Sequence, residues 1–388
     1  MLIKNAKIYT FNAENKIIEC GYVSFQNGLI AALGDMSGCP EGDDIVMDAC
    51  GAMCLPGFVD AHAHVGMWED SLGFEGDDGN EDTDPSTPHM RAIDAVNPLD
   101  RCFADALNAG VTSLLTGPGS ANPIAGQIIA MKTYGRRIDD MILRAPAAIK
   151  FALGENPKTA YHAKNAAPVT RMATAAFIRE QLYKTRAYME QLDRAESDPD
   201  MDKPDHDIKC ESLIPLLRGE IQAHFHAHRA DDILTALRIS SEFNIKPVIV
   251  HGTDGARIAD ILATEGVSVL CGPIICDRSK PELHSLDIST AAALCAAGVK
   301  TAIITDHPVT PIEYLPLSAA LAVRGGSDTY EALKAITAVP AQIAGIFGRV
   351  GSIEPGKDAD ITLFDSDPLS IAGMPKTVFV DGQKVKGD

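Results

Sequence analysis

No stretch of this chain approaches the roughly 18 to 20 consecutive apolar residues that a membrane-spanning helix requires. Basic charge is also scarce: 34 lysines and arginines face 53 aspartates and glutamates, a net charge of −19. The basic footprint that nucleic-acid phosphates demand is therefore missing, although the acidic balance identifies no substrate. Paired Cys-x2-Cys metal ligands are absent as well, Cys50-x3-Cys54 and Cys271-x4-Cys276 being the closest approaches. Nine cysteines scattered over a large chain fit reduced thiols, mostly small buried hydrophobes, better than a disulfide framework. The opening Met1-Leu2-Ile3-Lys4-Asn5 lacks the apolar centre and small-residue cleavage site of a signal peptide. These absences lead to the expectation of a soluble cytoplasmic protein with neither a nucleic-acid nor a membrane partner.

What is present is ample core material. At 388 residues and 46% hydrophobic content, the chain suits one α/β barrel of about 250 residues plus a smaller module. Short β-rich segments occupy the first 54 residues, with Gln26-Asn27-Gly28 as a hairpin turn between apolar runs. A similar texture returns in Asp360-Ile361-Thr362-Leu363-Phe364 and from Thr377 to Val385. Such strands cannot bury a face alone, so residues 1–54 and 350–388 are expected to form one composite β-sandwich around a barrel spanning 55–349.

Inside that frame, apolar runs followed by helix-like stretches begin near Val111, Ala147, Ile221, Pro247, Val267 and Lys300. The run ending in Phe58-Val59-Asp60-Ala61-His62 is a seventh, and an eighth is expected near Gln127-Ile128-Ile129-Ala130-Met131. Eight strands alternating with helices read as a (β/α)8 TIM barrel, whose functional residues sit at the strands' C-terminal ends.

Two stretches interrupt the alternation. Trp68 to Asp84 carries eight acidic residues and no basic one, which reads either as a mobile loop over the barrel mouth or as a merely solvated one. The segment from about Asn156 to Arg218 exceeds a normal connection; Thr174 to Arg194 has a helical pattern and Glu196 to Asp207 resembles a polar linker. Its role is open between substrate access and a subunit contact.

The expected strand ends place His62 and His64 on the first strand and Lys150 and Glu155 near the fourth. His224, His226 and His228 fall on the fifth, His251 on the sixth and Asp306 on the eighth. Residues i and i+2 of a strand share a face, so His62 and His64 converge, and neutral imidazoles suit a borderline divalent metal. Each is weak evidence alone, and together they supply ligands at the functional face of a barrel.

These residues carry a resemblance. Pro56-Gly57-Phe58-Val59-Asp60-Ala61-His62-Ala63-His64, Gly110-Val111-Thr112-Ser113, His226-Ala227-His228, His251-Gly252, Thr305-Asp306 and Gly351-Ser352-Ile353-Glu354-Pro355-Gly356-Lys357-Asp358-Ala359-Asp360 make the chain similar to the amidohydrolase superfamily. The branch is that of imidazolonepropionase-like and prolidase-like enzymes. The resemblance implies a barrel with a β-sandwich from both termini. It further implies His62 and His64 on one metal, His226 and His251 on a second, and Asp306 touching the first metal while shuttling protons. His224 is an alternative ligand to His226, and His228 then serves the substrate or supports a ligand. The bridge between metals is either a carboxylated Lys150 or Glu155, five residues apart and of opposite strand parity, with Glu155 preferred because it needs no modification and follows directly on Gly154.

The implied chemistry is hydrolysis of an amide or cyclic amide, with one or two divalent ions: zinc first, then iron, manganese or nickel. A metal-bound water has its pKa lowered from about 15.7 towards roughly 7, and Asp306 passes its proton to the departing nitrogen. Asn156, Lys158, His228 and Arg229 are candidate contacts for a small-molecule substrate. A deaminase of the same superfamily would place a glutamate three residues after a strand-five histidine, where this chain has Arg229. A lactone or ester hydrolase fits the same ligand set, and a non-catalytic structural member is the remote possibility. A homo-oligomer is expected by family analogy.

Overall fold

The computed structural model describes residues 1–41, 46–70 and 72–387. Five strands open the chain: β1 (Leu2–Tyr9), β2 (Ile17–Gln26), β3 (Leu29–Asp35), β4 (Val46–Asp48) and β5 (Met53–Pro56). Asn27 and Gly28 both have positive φ, 53° and 80°, the backbone that joins β2 and β3 with the twist their antiparallel pairing needs.

The barrel strands follow as β6 (Phe58–Ala63), β7 (Val111–Thr116), β8 (Ile124–Lys132), β9 (Ile142–Ala152), β10 (Gln222–Ala227), β11 (Pro247–His251), β12 (Ser268–Cys271) and β13 (Thr301–Ile303). They form one eight-stranded sheet in the order β13-β12-β11-β10-β9-β8-β7-β6. Backbone bonds from Asp306 N to His62 O (3.1 Å) and from His64 N to His307 O (2.9 Å) draw the two edges together into a nearly closed barrel. The strand expected near Gln127–Met131 is β8, but it runs antiparallel to both β7 and β9. Two tight connections, each too short for a crossover helix, impose that direction.

After the barrel come β14 (Ile361–Phe364), β15 (Thr377–Val380) and β16 (Gln383–Lys386). They join the N-terminal strands in a second sheet, ordered β16-β15-β14-β5-β1-β2-β3 with β4 against β1. Its apolar face buries Ile3, Ile8, Val23, Phe25, Ile361 and Phe379, and the rings of Phe25 and Phe379 meet edge-on at 5.3 Å. Gly57 sits where the chain passes from β5 to β6. A Cβ there would lie 2.0 Å from the Thr112 hydroxyl, so no larger residue fits this junction.

The long insertion is three helices: Glu155–His162, Arg171–Ser197 and Ile208–Leu217. Thr170 and Asp207 cap the second and third through side-chain oxygens that accept backbone N–H groups. The acidic stretch after His64 is pinned to this insertion, Asp82 pairing with Lys164 and Asp84 with Lys209. Among the described residues no helix is long and apolar enough to cross a membrane.

Candidate metal centre

His62 lies on β6 and His64 just beyond its end, and the pleat turns both rings to the same side. Asp306 follows β13 in the left-handed region, φ 54°, and this turn brings its carboxylate across the barrel seam. The Oδ1 of Asp306 is 3.3 Å from Nε2 of His62 and 3.3 Å from Nε2 of His64. Nδ1 of His64 donates to the Gly117 carbonyl at 2.6 Å, which leaves the Nε2 lone pair free. Donor separations of 3.3 Å match a tetrahedral edge for ligand bonds of about 2.0 Å.

A second group stands beside the first. His226 on β10, His228 just past it and His251 at the end of β11 have ligand nitrogens within 4.8 Å of one another. His251 is also within that reach of His62 and Asp306, so the two groups adjoin through it. Nδ1 of His251 donates to the Gly272 carbonyl at 2.7 Å, and Nδ1 of His228 bonds the Thr253 hydroxyl at 2.8 Å. Both bonds aim Nε2 into the cluster. His251 adopts φ 77°, a second left-handed non-glycine residue at this one place.

The charge states favour cation binding. Burial, assisted by the Lys150 ammonium, pushes the His62 imidazole well below its ordinary value and His224 down to about 3. Burial likewise lowers His226 and His228 well below normal and His251 to about 4. For Asp306, burial works to raise the carboxyl, but His251, His62 and His64 prevail and hold it well below the usual range. Neutral imidazoles around an ionised carboxylate are the protonation state that a metal site requires.

Lys150, fully buried on β9, places Nζ 3.0 Å from Nε2 of His62. Burial lowers its ammonium to about 8. Glu155 is not drawn into either histidine group. β9 ends at Ala152, Gly154 turns the chain with φ 84°, and Glu155 heads the next helix on the cavity wall. Strand parity therefore does not extend to it. His224 pairs in register with Lys150 one step below the cluster, and its buried Nδ1 has no hydrogen-bond partner.

The groups open into a cavity of about 880 Å3, whose walls include Trp68, Asn80, Ser120, Asn156, Cys276 and Lys280. Asn156 donates to the Ser120 hydroxyl at 2.8 Å, accepts from Lys280 at 2.8 Å and lies 3.4 Å from His226 Nε2. Lys158 and Arg229 line a side cavity of about 490 Å3 instead, and Arg229 is held by Asp231 at 2.9 Å. Of the four substrate candidates, Asn156 and His228 thus face the main cavity, while Lys158 and Arg229 do not.

Three participants escaped sequence reasoning. Asp60, fully buried, accepts from the amide of His62 and from the amide and hydroxyl of Thr305. Its spacing two residues before His62 was a usable signal, since it shares that face. Glu282 is 1% exposed, with Oε1 3.7 Å from Nε2 of both His226 and His228. Trp68 sets its ring edge-on to His64, centroids 4.5 Å apart. Nothing local to the polar loop around Glu282 announces its burial.

Comparison with known proteins gives the geometry a lineage. Residues 207–385 match the amidohydrolase family model. The chain is 32% identical to amidohydrolase tasK of Hapsidospora irregularis over 93% of its own length, and it spans 39% of that protein. It is 24% identical to imidazolonepropionase of Acidiphilium cryptum, covering 95% of this chain and 93% of the other. The solved structure of an amidohydrolase from Thermotoga maritima MSB8 is 40% identical and superimposes with a TM-score of 0.96 over the whole of both chains. A shared barrel, a shared terminal sheet and identity at this level over full length lead to one conclusion: the protein belongs to the amidohydrolase family.

Proposed function

We propose that the protein is a metal-dependent hydrolase that cleaves a carbon–nitrogen bond of an amide or cyclic amide. The observation that carries this reading is the Asp306 carboxylate 3.3 Å from both His62 and His64 at the floor of the cavity. His62, His64 and Asp306 would hold one divalent ion, and His226 and His251 a second, with Lys150 the better-placed bridging group by its 3.0 Å approach to His62. When bound there, a divalent ion, zinc by its taste for nitrogen and carboxylate donors, would supply acidification of water and polarisation of a carbonyl.

The chain's own residues do the rest. Asp306 is ionised and in reach of the same point as the imidazoles, so it can accept a proton and return it to the leaving nitrogen, without which an amine departs poorly. Asn156 and Lys280 present a polar edge for orienting a substrate, and Trp68 adds an aromatic wall to the same cavity. The similarity to an imidazolonepropionase supports a cyclic amide as the first substrate class to try.

The test is a hydrolysis screen of the metal-loaded protein over N-acyl amino acids, dipeptides, cyclic ureides and lactones. Turnover of an amide that disappears with metal removal supports the reading. Activity confined to lactones, or ammonia release from amino-heterocycles alone, overturns the bond type.

A further inference from the structure

β6 and β13 stand at opposite ends of the barrel sheet, and among the described residues no ladder of backbone bonds joins them. Early in β6 and at the end of β13 the strands bond an intervening segment instead. The amide of Val59 donates to the Ile336 carbonyl at 2.8 Å, and that of Ile303 to the Ala335 carbonyl at 2.9 Å. Beyond that point the side chain of Asp60 spans the seam. One of its oxygens accepts the amide of His62 at 3.1 Å, and the other accepts both the amide of Thr305, at 3.1 Å, and its hydroxyl. The same hydroxyl accepts the amide of His307 at 3.2 Å, and the His307 carbonyl accepts the amide of His64 at 2.9 Å. This run of bonds starts on His62, ends on His64 and passes through both chain neighbours of Asp306.

Asp306 needs such a hold. Its φ of 54° is a backbone that a residue with a side chain keeps only where its surroundings over-determine it. Its own amide is taken by the His62 carbonyl at 3.1 Å, and the amide that follows is taken by Thr305. Asp60 and Thr305 are fully buried, which shields these bonds from bulk water, and neither lines the cavity, so neither touches a substrate there. We propose that Asp60 and Thr305 are positioning residues, whose clasp across the barrel seam fixes the Asp306 carboxylate at its 3.3 Å spacing from His62 and His64. The inference rests on the metal reading above and adds to it the source of that spacing: bonds within the protein hold the three donors in place, so an ion meets a geometry already set.

Two measurements on the purified full-length protein test the clasp. In metal-stripped protein, amide hydrogen exchange read by mass spectrometry should be slow in the peptides that contain His62 to His64 and Thr305 to His307. Thr305→Val, which keeps shape and removes the hydroxyl, should speed exchange in both by on the order of tenfold, and Thr305→Ser should restore the wild-type rates. In a titration with Co2+ alone, Thr305→Val should weaken binding of the His62-dependent ion by about 10- to 100-fold and alter its visible bands, again with rescue by Thr305→Ser. Asp60→Asn should follow Thr305→Val in both readouts. Exchange and cobalt bands in Thr305→Val that match wild type would overturn the clasp. Faster exchange with unchanged cobalt affinity and bands would reduce it to a prop of the barrel and overturn the proposal as well. Cobalt bands that no variant alters, His62→Ala included, would instead overturn the metal reading itself.

Discussion

Nζ of Lys150 sits 3.0 Å from Nε2 of His62, with both side chains buried. Glu155, by contrast, stands apart at the head of the following helix. Single alanine variants separate the two candidates for the bridge. Lys150→Ala is expected to lose bound metal on purification, while Glu155→Ala keeps the wild-type content. The reverse pattern in metal analysis would return the role to Glu155.

Asp306 faces a sharper test, because it is asked both to touch the ion and to move a proton. Asp306→Asn keeps an oxygen in place and removes the basic charge. The expected outcome is metal retained with kcat lowered by about 10²- to 10⁴-fold, the range for loss of a general acid–base group. A kcat within twofold of wild type would remove Asp306 from the proton path.

Trp68 is the chain's only tryptophan, and its ring meets His64 at 4.5 Å. Its emission should therefore report on occupancy of the His64 site. Titrating Zn2+ into metal-stripped protein is expected to change the fluorescence in step with binding, and His64→Ala should abolish the change. Gly79 packs against the same ring, where a Cβ would lie 2.1 Å from it, so Gly79→Ala should displace the indole and raise KM. A Gly79→Ala protein with unaltered emission would contradict this contact.

Lys132, at the end of β8, joins the barrel to the terminal sheet through Asp360 at 2.7 Å, Asp358 at 2.9 Å and Asp381 at 3.1 Å. The lysine and the first two aspartates are buried; Asp358 keeps Arg349 at 2.8 Å, but removing the cation leaves the Asp360 carboxylate buried without a counter-charge. Lys132→Met is expected to cost about 3 to 5 kcal/mol in urea-induced unfolding. A loss below about 1 kcal/mol would mean that these carboxylates find new partners or water.

Asp207 supplies the pH-dependent prediction. The Lys184 ammonium at 2.6 Å and the amides of Lys209 and Cys210 hold its carboxyl down to about 2, against an ordinary 3.8. A depressed carboxyl stabilises the fold above the unfolded value and loses that contribution as pH falls through the folded one. The gap in unfolding stability between wild type and Asp207→Asn should thus be full at pH values above about 5 and close between about 4 and 2. A gap that persists at the acid end would place the effect in helix capping rather than in the ion pair.

Much of this protein was legible before its fold. The alternation of apolar runs located all eight barrel strands because each must be buried on both sides, and the Asn27-Gly28 turn was legible because few residue pairs accept two positive φ angles. The pair His62 and His64 declared itself through a spacing of two, which a strand converts into convergence. Their partners His251 and Asp306 were named by family resemblance and by their places at strand ends.

What sequence could not decide was anything resting on a turn. The antiparallel course of β8 depends on two short connections, not on its own apolar pattern, which reads the same in either direction. That Lys150 lies beside His62 while Glu155 does not follows from where β9 stops and Gly154 bends the chain. Glu282 reaches the histidines only because a polar loop folds inward, a long-range contact with no local periodicity to betray it. By itself the sequence determined which residues would face the barrel mouth from regular strands, since periodicity is a local property. Only tertiary structure decided which loop residues join them, because their positions follow from packing against segments far away along the chain.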